Sequence, residues 1–574
     1  MTGSNPALAR RSMRWRACLL AVIAVAAACG GDGDGEEGAS GSGDDETTST
    51  TETLGEPVMG GEITIGLEAE TNSWLPGEGS FATGGYNVGL ALYDPLMARG
   101  DDGQLRPYLA ESMESNEDLT EWTMKLREGV TFHDGTLLTA EVVKTIFDEY
   151  LKADGANTAG SLSYVTEARV DDPLIVTYVL SEGNAAFPDL LQGPIGWPFS
   201  VEAARAAGAD AGSQPVGTGP FVFESWQRDS ALVVTKNPSY WREGMPYLDQ
   251  ITFRPIPDED SRILSLLAGD LAAMQSLRGS TIKQVIEAAE TGAFTAYQFD
   301  GNESGASIMN VLVAPLDDVR IRKAIAHSSD SVSVAEVLGD DGLVEATTQW
   351  FSTDSPWWSQ KVADAYPAYD PEAGAALVED YVNDPERSDG KPVGAAPTID
   401  YNCPPDPSLI EVSQLVQAQL QVVGIETTLN QVEQAAHIAN AIGSPESDPP
   451  FKGDYIVNCW RIGDEDDPAT TLGNAFGAVS SQPLNFTNFQ TPELDALLAE
   501  LATTNGFKER YAIVEEIGVL INENVPVSFG VGTATVIGTS DKVKNVAGWT
   551  FPDGSLGNGH PSSVGRWREV WLER

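Results

Sequence analysis

Between residues 397 and 460 strand-like and helix-like patterning alternate without a break, and this alternation constrains the fold more than any other feature of the chain. PTIDYNC (397–403) reads as a strand, 409–423 as an amphipathic helix and GIETTL (424–429) as a second strand; a helix at 435–442 and a strand DYIVNCW (454–460) follow. A strand that returns to its own sheet through a helix returns parallel, by a right-handed crossover. Two consecutive units of this kind therefore require an α/β body with parallel strands. Elsewhere GEITIGL (61–67) sets Ile63, Ile65 and Leu67 on one face of a strand. Thr139 is placed to cap a helix running to Leu151, with Glu141 near its positive end. Thr491 and Pro492 open another, lined by Leu494, Leu497, Leu498 and Leu501.

The N-terminal 56 residues do not share this patterning. Arg10, Arg11, Arg14 and Arg16 precede an apolar run at 17–28, of the length of a secretion segment and too short to cross a bilayer as a helix. The run ends in Ala26, Ala27, Ala28 and Cys29, which resembles the lipobox of bacterial lipoproteins, although Ala26 stands where a larger apolar residue is usual. Residues 1–28 are thus expected to be a lipoprotein signal peptide and Cys29 the lipid-attachment residue. Residues 29–59, rich in Gly, Ser, Thr and acids, cannot bury enough surface to fold and are expected to form a disordered tether.

Net charge is −51, and the leader carries four Arg and no acid, so cleavage takes the mature chain to −55. A surface this acidic excludes nucleic acid as a partner and needs the lipid anchor to hold it at a membrane. The four His, at 133, 327, 437 and 560, lack metal-ligand spacing, and there is no Gly-x-Ser-x-Gly elbow or phosphate-binding loop. No metal and no cofactor is expected. A glycosidase carboxylate pair remains the enzymatic alternative, but nothing singles out two of the many acids.

A series of strings then carries a resemblance. GGEITIG (60–66), RPYLAES (106–112), LREGVTFHDGT (126–136), PVGTGPF (215–221), NPSYW (237–241), GMPYLD (244–249) and ITFR (251–254) occur in order. DDVRIRKAI (317–325) with Asp330, YDPE (369–372), Gly424-Ile425 and FQTPELD (489–495) follow. Together they resemble the family 5 extracytoplasmic solute-binding proteins, the oligopeptide, dipeptide and nickel receptors of ABC importers. Departures at Leu137, Val142 and Ala272 fall at structural positions and mark a distant member.

The resemblance implies an α/β, two-lobed periplasmic-binding-protein-like fold of type II. The first lobe would span 60–295 with an inserted subdomain at about 96–205, the second lobe 296–534, and 535–574 would return to the first. It implies a monomer that captures a peptide or other small solute and delivers it to the permease subunits of an ABC transporter. An oligosaccharide, a chelated metal or another amine-bearing compound is the alternative ligand, and such receptors are not enzymes. In peptide-binding relatives a Trp-loop-acid-Pro segment supplies a carboxylate for the ligand's ammonium. Here Trp460 and Asp464 fill that pattern, with the loop before Pro468 one residue longer; a solvated acidic turn is the competing reading of 464–467. Asn310 could face ligand backbone or satisfy local chain ends. Trp350 and Trp357 could offer flat surfaces to ligand or pin loops.

Two cysteines remain beyond the leader and Cys29. In two right-handed βαβ units the first strand commonly lies between the second and third, which would set Cys403 and Cys459 at one edge of neighbouring strands. Strands about 4.8 Å apart suit a disulfide, so a Cys403 to Cys459 bridge is expected, two buried free thiols being the alternative.

Overall fold

The computed structural model describes residues 55–574 except positions 80, 153–161, 163, 340–341, 354, 406, 445, 451, 464–466, 479–483 and 560–562. The expected signal peptide, Cys29, most of the tether, and Asp464 with its two successors lie outside the described residues.

Ile63, Ile65 and Leu67 are each at most 3% exposed, so their alternation places one face of the strand Glu62–Leu67 in the core. Gln250–Pro255 and Ala273–Ser276 pair with it in parallel on either side. The chain is fastened to this body from Met59, whose carbonyl accepts from Arg574, and Gly60 N–H donates to the Tyr247 carbonyl.

These strands belong to one ten-stranded sheet. Its order is Glu426–Gln431, Thr398–Cys403, Val457–Gly463, Phe294–Met309, Val527–Ser540, Ala273–Ser276, Glu62–Leu67, Gln250–Pro255, Ala231–Lys236 and Phe221–Gln227. The two long strands in the middle, Phe294–Met309 and Val527–Ser540, run antiparallel. Residues 294–300 pair with 540–534, and 536–539 continue onto Ala273–Ser276. Residues 304–308 pair with 532–527, and 303–309 continue onto Val457–Gly463. The register slips between Asp300 and Ser304 and again before Ala306, so one pair of strands carries the sheet from one half of the molecule to the other through an irregular middle. The expected lobe boundaries, 295/296 and 534/535, fall within these strands. At the crossing the backbones come close: a Cβ added to Gly530 would stand 2.8 Å from the Gly305 carbonyl oxygen.

Thr398–Cys403 lies between Glu426–Gln431 and Val457–Gly463, parallel to both, with the helices Pro407–Val422 and Gln434–Ile442 as crossovers. The third strand begins three residues later than the pattern at 454–460 suggests and runs on to Gly463. Its antiparallel partner explains the extension, since pairing persists to Glu303 opposite Gly463. Trp460 is therefore in mid-strand. Tyr401, Cys403, Val457 and Ile325 form the core on one side of this half; Ile462, Phe476, Leu494, Ile517 and Phe529 form the core on the other.

Within 96–205 a separate antiparallel sheet forms, in the order Ala110–Ser115, Glu121–Leu126, Ile175–Leu180 and Val165–Asp172. The helix Ala140–Tyr150 packs on it, its Val142 N–H bonded to Thr139 Oγ1. Thr491 caps Pro492–Thr503 in the same way, by accepting from Leu494 N–H at 3.1 Å.

Candidate ligand cleft

Ligands of open α/β sheets gather beyond the carboxyl ends of the strands. In the first half that place is marked by Glu68, directly after Glu62–Leu67, and by Ser276, the last residue of Ala273–Ser276. Burial raises the Glu68 carboxyl above the usual glutamate range, against the opposing pull of Gln275 and of the Arg262 and Arg461 guanidiniums. Arg262 is fully buried: it pairs with Glu259 at 2.5 Å and donates from Nε to the Gln275 carbonyl at 2.8 Å. Ser276 Oγ donates to the other Glu259 oxygen at 2.8 Å. Arg461 comes from the strand Val457–Gly463 in the other half, where it meets Glu303 of the crossing strand at 3.2 Å.

Trp460 is half-buried, stacked on His437 at 5.4 Å and edge-on to Phe486 at 4.8 Å. His437 Nε2 bonds to the Cys459 carbonyl at 3.0 Å, so the helix Gln434–Ile442 is tied to the strand at the residue before Trp460. Cys459 in turn is joined to Cys403, with 5.3 Å between Cα atoms, one position beyond the paired Asn402 and Asn458.

The loop beyond Trp460 is held at both ends. Trp350 donates from Nε1 to the Gly463 carbonyl at 2.9 Å and packs edge-on against Phe476 at 5.2 Å. At the far end Asp467 caps the helix Pro468–Phe476 by accepting from Ala469 N–H at 2.9 Å. Its carboxylate also receives Arg510 Nη1 at 2.6 Å, and the Arg510 guanidinium lies 5.5 Å over the Trp357 ring. Trp350 and Trp357 thus brace the two roots of the segment that contains Asp464. Asn310 stands elsewhere: it is fully buried and donates to the Gly453 and Tyr455 carbonyls at 3.0 and 3.2 Å, closing the chain at the end of the crossing strand.

A contact that sequence reasoning missed joins the inserted subdomain to this loop. Asp189, 5% exposed, accepts from Asp467 N–H at 2.6 Å, pairs with Arg99, and accepts from Gln192 at 3.0 Å. Nearby, Ala185 N–H donates to the Ala502 carbonyl at 2.8 Å. Asp467 before Pro468 is a legible cap and first-turn pair. Nothing in the sequence near Asp189 announces its partner 278 residues away.

His133 links two of the strings that carry the resemblance. Its Nδ1 accepts from Gly217 N–H at 3.3 Å and its Nε2 meets the Gly219 carbonyl at 3.1 Å, which requires the neutral ring protonated on Nε2. Burial pushes its pKa down to about 4. Among the described residues no group of three or more His, Cys, Asp or Glu side chains is arranged to hold a metal ion, and no helix is long and apolar enough to cross a membrane.

Two α/β halves joined by paired crossing strands, with an extra antiparallel subdomain, define the two-lobed binding-protein fold of type II. The profile of the bacterial extracellular solute-binding proteins, family 5 (middle region), matches residues 104–482. The chain belongs to that family. The glutathione-binding protein GsiB of Salmonella paratyphi A is 25% identical over 476 residues, covering 81% of this chain and 88% of GsiB. NikA from Brucella suis, solved with Fe(III)-EDTA, superposes with a TM-score of 0.74 at 21% identity, over 89% of this chain and all of NikA. DppA from Helicobacter pylori, solved with the peptide STSA, superposes at 0.71 and 20% identity, over 90% of this chain and 99% of DppA.

Proposed function

We propose that this protein is the lipid-anchored receptor of an ABC importer, that its ligand is a short peptide or peptide-like solute, and that it performs no chemistry on it. The reading rests on the match of residues 104–482 to a family of extracellular solute-binding proteins, with Glu68 and Ser276 at the strand ends of the first half. Trp460 forms one wall of the site, and Asp464, on a loop braced by Trp350 and Trp357, supplies a carboxylate for the ligand's ammonium. Asn310 shapes the base of the strand. Cys29 carries the lipid, 29–59 is the leash, and lobe closure presents the loaded, monomeric receptor to the permease.

Native mass spectrometry of the protein as purified tests the ligand class. A co-purified mass that fragments as a peptide, released on denaturation and unaltered after prolonged incubation, is the expected result. A sugar, a metal chelate or a hydrolysed product would replace the peptide reading. Cys29→Ser should release the protein from membranes or leave it unprocessed; a mature, membrane-bound variant would rule out the anchor.

A further inference from the structure

The inserted subdomain belongs to the first lobe by its core: Met124, Phe147 and Phe187 share one apolar cluster with Ile63, Phe253 and Trp567. The second-lobe cluster that holds Leu472, Leu494, Leu501 and Ile513 takes in no subdomain residue among those described. The subdomain nevertheless meets the second lobe at three points. Asp189 accepts from the N–H of Asp467, the N-cap residue of the helix Pro468–Phe476. Ala185 N–H donates to the carbonyl of Ala502, in the last turn of the helix Pro492–Thr503. Pro356 stands against Gly103, its Cγ 3.4 Å from where a Cβ would be. A carboxylate thus faces the positive end of one helix and an N–H donor the negative end of another, the polarity that helix ends favour. Asp467 comes four residues after the end of the strand Val457–Gly463, so the contact lies near the carboxyl ends of the second-lobe strands.

Two arginines hold these points in place, one in each lobe. Arg99 pairs with Asp189 and donates from Nη1 to the Gly103 carbonyl at 2.9 Å, so it fixes two of the subdomain's contact points. Arg510 pairs with Asp467 and lies 5.5 Å over Trp357, the neighbour of Pro356. Each carboxylate therefore has its cation on its own lobe. Parting the lobes breaks two main-chain N–H donations that water can replace, and it strands no buried charge. An interface that is mainly polar, shares no core and leaves both sides satisfied on separation has the character of a reversible contact between domains.

We propose that this three-point contact is the clasp of the closed receptor, made when the subdomain swings onto the second lobe and broken to admit or release the solute. The clasp rests on the two-lobed receptor reading above and not on the identity of the ligand.

Ala185→Cys combined with Ala502→Cys in the full chain tests it, since both positions are half-buried and Cys403 and Cys459 are already joined to each other. Oxidation with copper phenanthroline should cross-link the new pair. X-ray scattering of the ligand-stripped, oxidised protein should then give a smaller radius of gyration than ligand-stripped wild type, while each single-cysteine variant should match wild type. Solute that co-purifies should leave the oxidised pair about tenfold or more slowly than the unoxidised pair. An oxidised pair with the radius of stripped wild type would overturn the proposal, because the contact would then persist in the open receptor and the subdomain would travel with the second lobe. Failure to cross-link in a variant that melts at the wild-type temperature would overturn it as well. Absence of a co-purified solute would count against the peptide reading alone; the radius comparison decides the clasp without it.

Discussion

The imidazole of His133 joins two chain segments in one protonation state only, because Nδ1 is an acceptor for Gly217 N–H. Its folded pKa, about 4, lies below the ordinary value of 6.5, so the unfolded chain takes up the proton first as pH falls. Stability contributed here is full above pH 6.5 and is lost between there and pH 4, by up to about 3 kcal/mol. Denaturant melts of wild type and His133→Gln across that window should show a shallower slope in the variant; parallel profiles would remove His133 from the account. Trp460 makes the opposite demand on an experiment. Its ring packs on His437 and Phe486, so Trp460→Ala should cost about 2 to 4 kcal/mol of stability as well as affinity. Trp460→Phe, which keeps an aromatic ring there, is the variant whose calorimetric affinity reports on the ligand wall.

At the scale of elements, the helix Pro468–Phe476 depends on Asp467 three times over, as cap, as partner of Arg510 and as donor to Asp189. Asp467→Ala strands a buried guanidinium and should destabilise the protein by about 3 to 5 kcal/mol in urea unfolding. Asp189→Ala removes the carboxylate acceptor between subdomain and loop while leaving both cores intact. It should weaken ligand binding by about ten- to a hundredfold, the worth of a hydrogen bond to a charged group, with a larger radius of gyration in X-ray scattering. Unchanged affinity and radius would show that the contact does not favour closure. The elements themselves were readable where one face is buried: Ile63, Ile65 and Leu67 alternate because every second side chain enters the core, and Thr491 caps through its own hydroxyl. The crossing strand Phe294–Met309 was not, since FTAYQFDGNESGASIM carries polar residues and glycines through the stretch where the register slips and its partner strand lies more than two hundred residues away. The loop-bracing roles of Trp350 and Trp357 depend on partners more than a hundred residues away, Gly463 and Arg510, and local pattern does not encode them.

For the whole molecule, the joined Cys403 and Cys459 enclose a separation of 56 residues that includes both crossover helices. Closing a loop of that length in the unfolded chain is worth about 4 kcal/mol on the chain-entropy account, so Cys403→Ser with Cys459→Ser should lower stability by an amount of that order. Alkylation of denatured, unreduced protein checks the pairing directly: beyond Cys29, no reactive thiol is expected, and two would contradict it. The family frame was legible from strings spread between residues 60 and 495, and some of them hold the fold together directly, as His133 does with Gly217 and Gly219 and Thr491 does as a helix cap.

The lobes share one hydrogen-bonded sheet, and that sets how they can move. Two strands running side by side act as a leaf spring: they resist sliding and stretching in the plane of the sheet and yield to bending across it. Their weakest point is the slipped register between Asp300 and Ala306, where ladder bonds are interrupted and Gly530 packs against Gly305 without a side chain between them. We infer that the lobes flex like pages about a line through that point, with a solute entering from the edge opposite this spine; hydrogen exchange faster at residues 300–306 than along the flanking ladder is the expected signature.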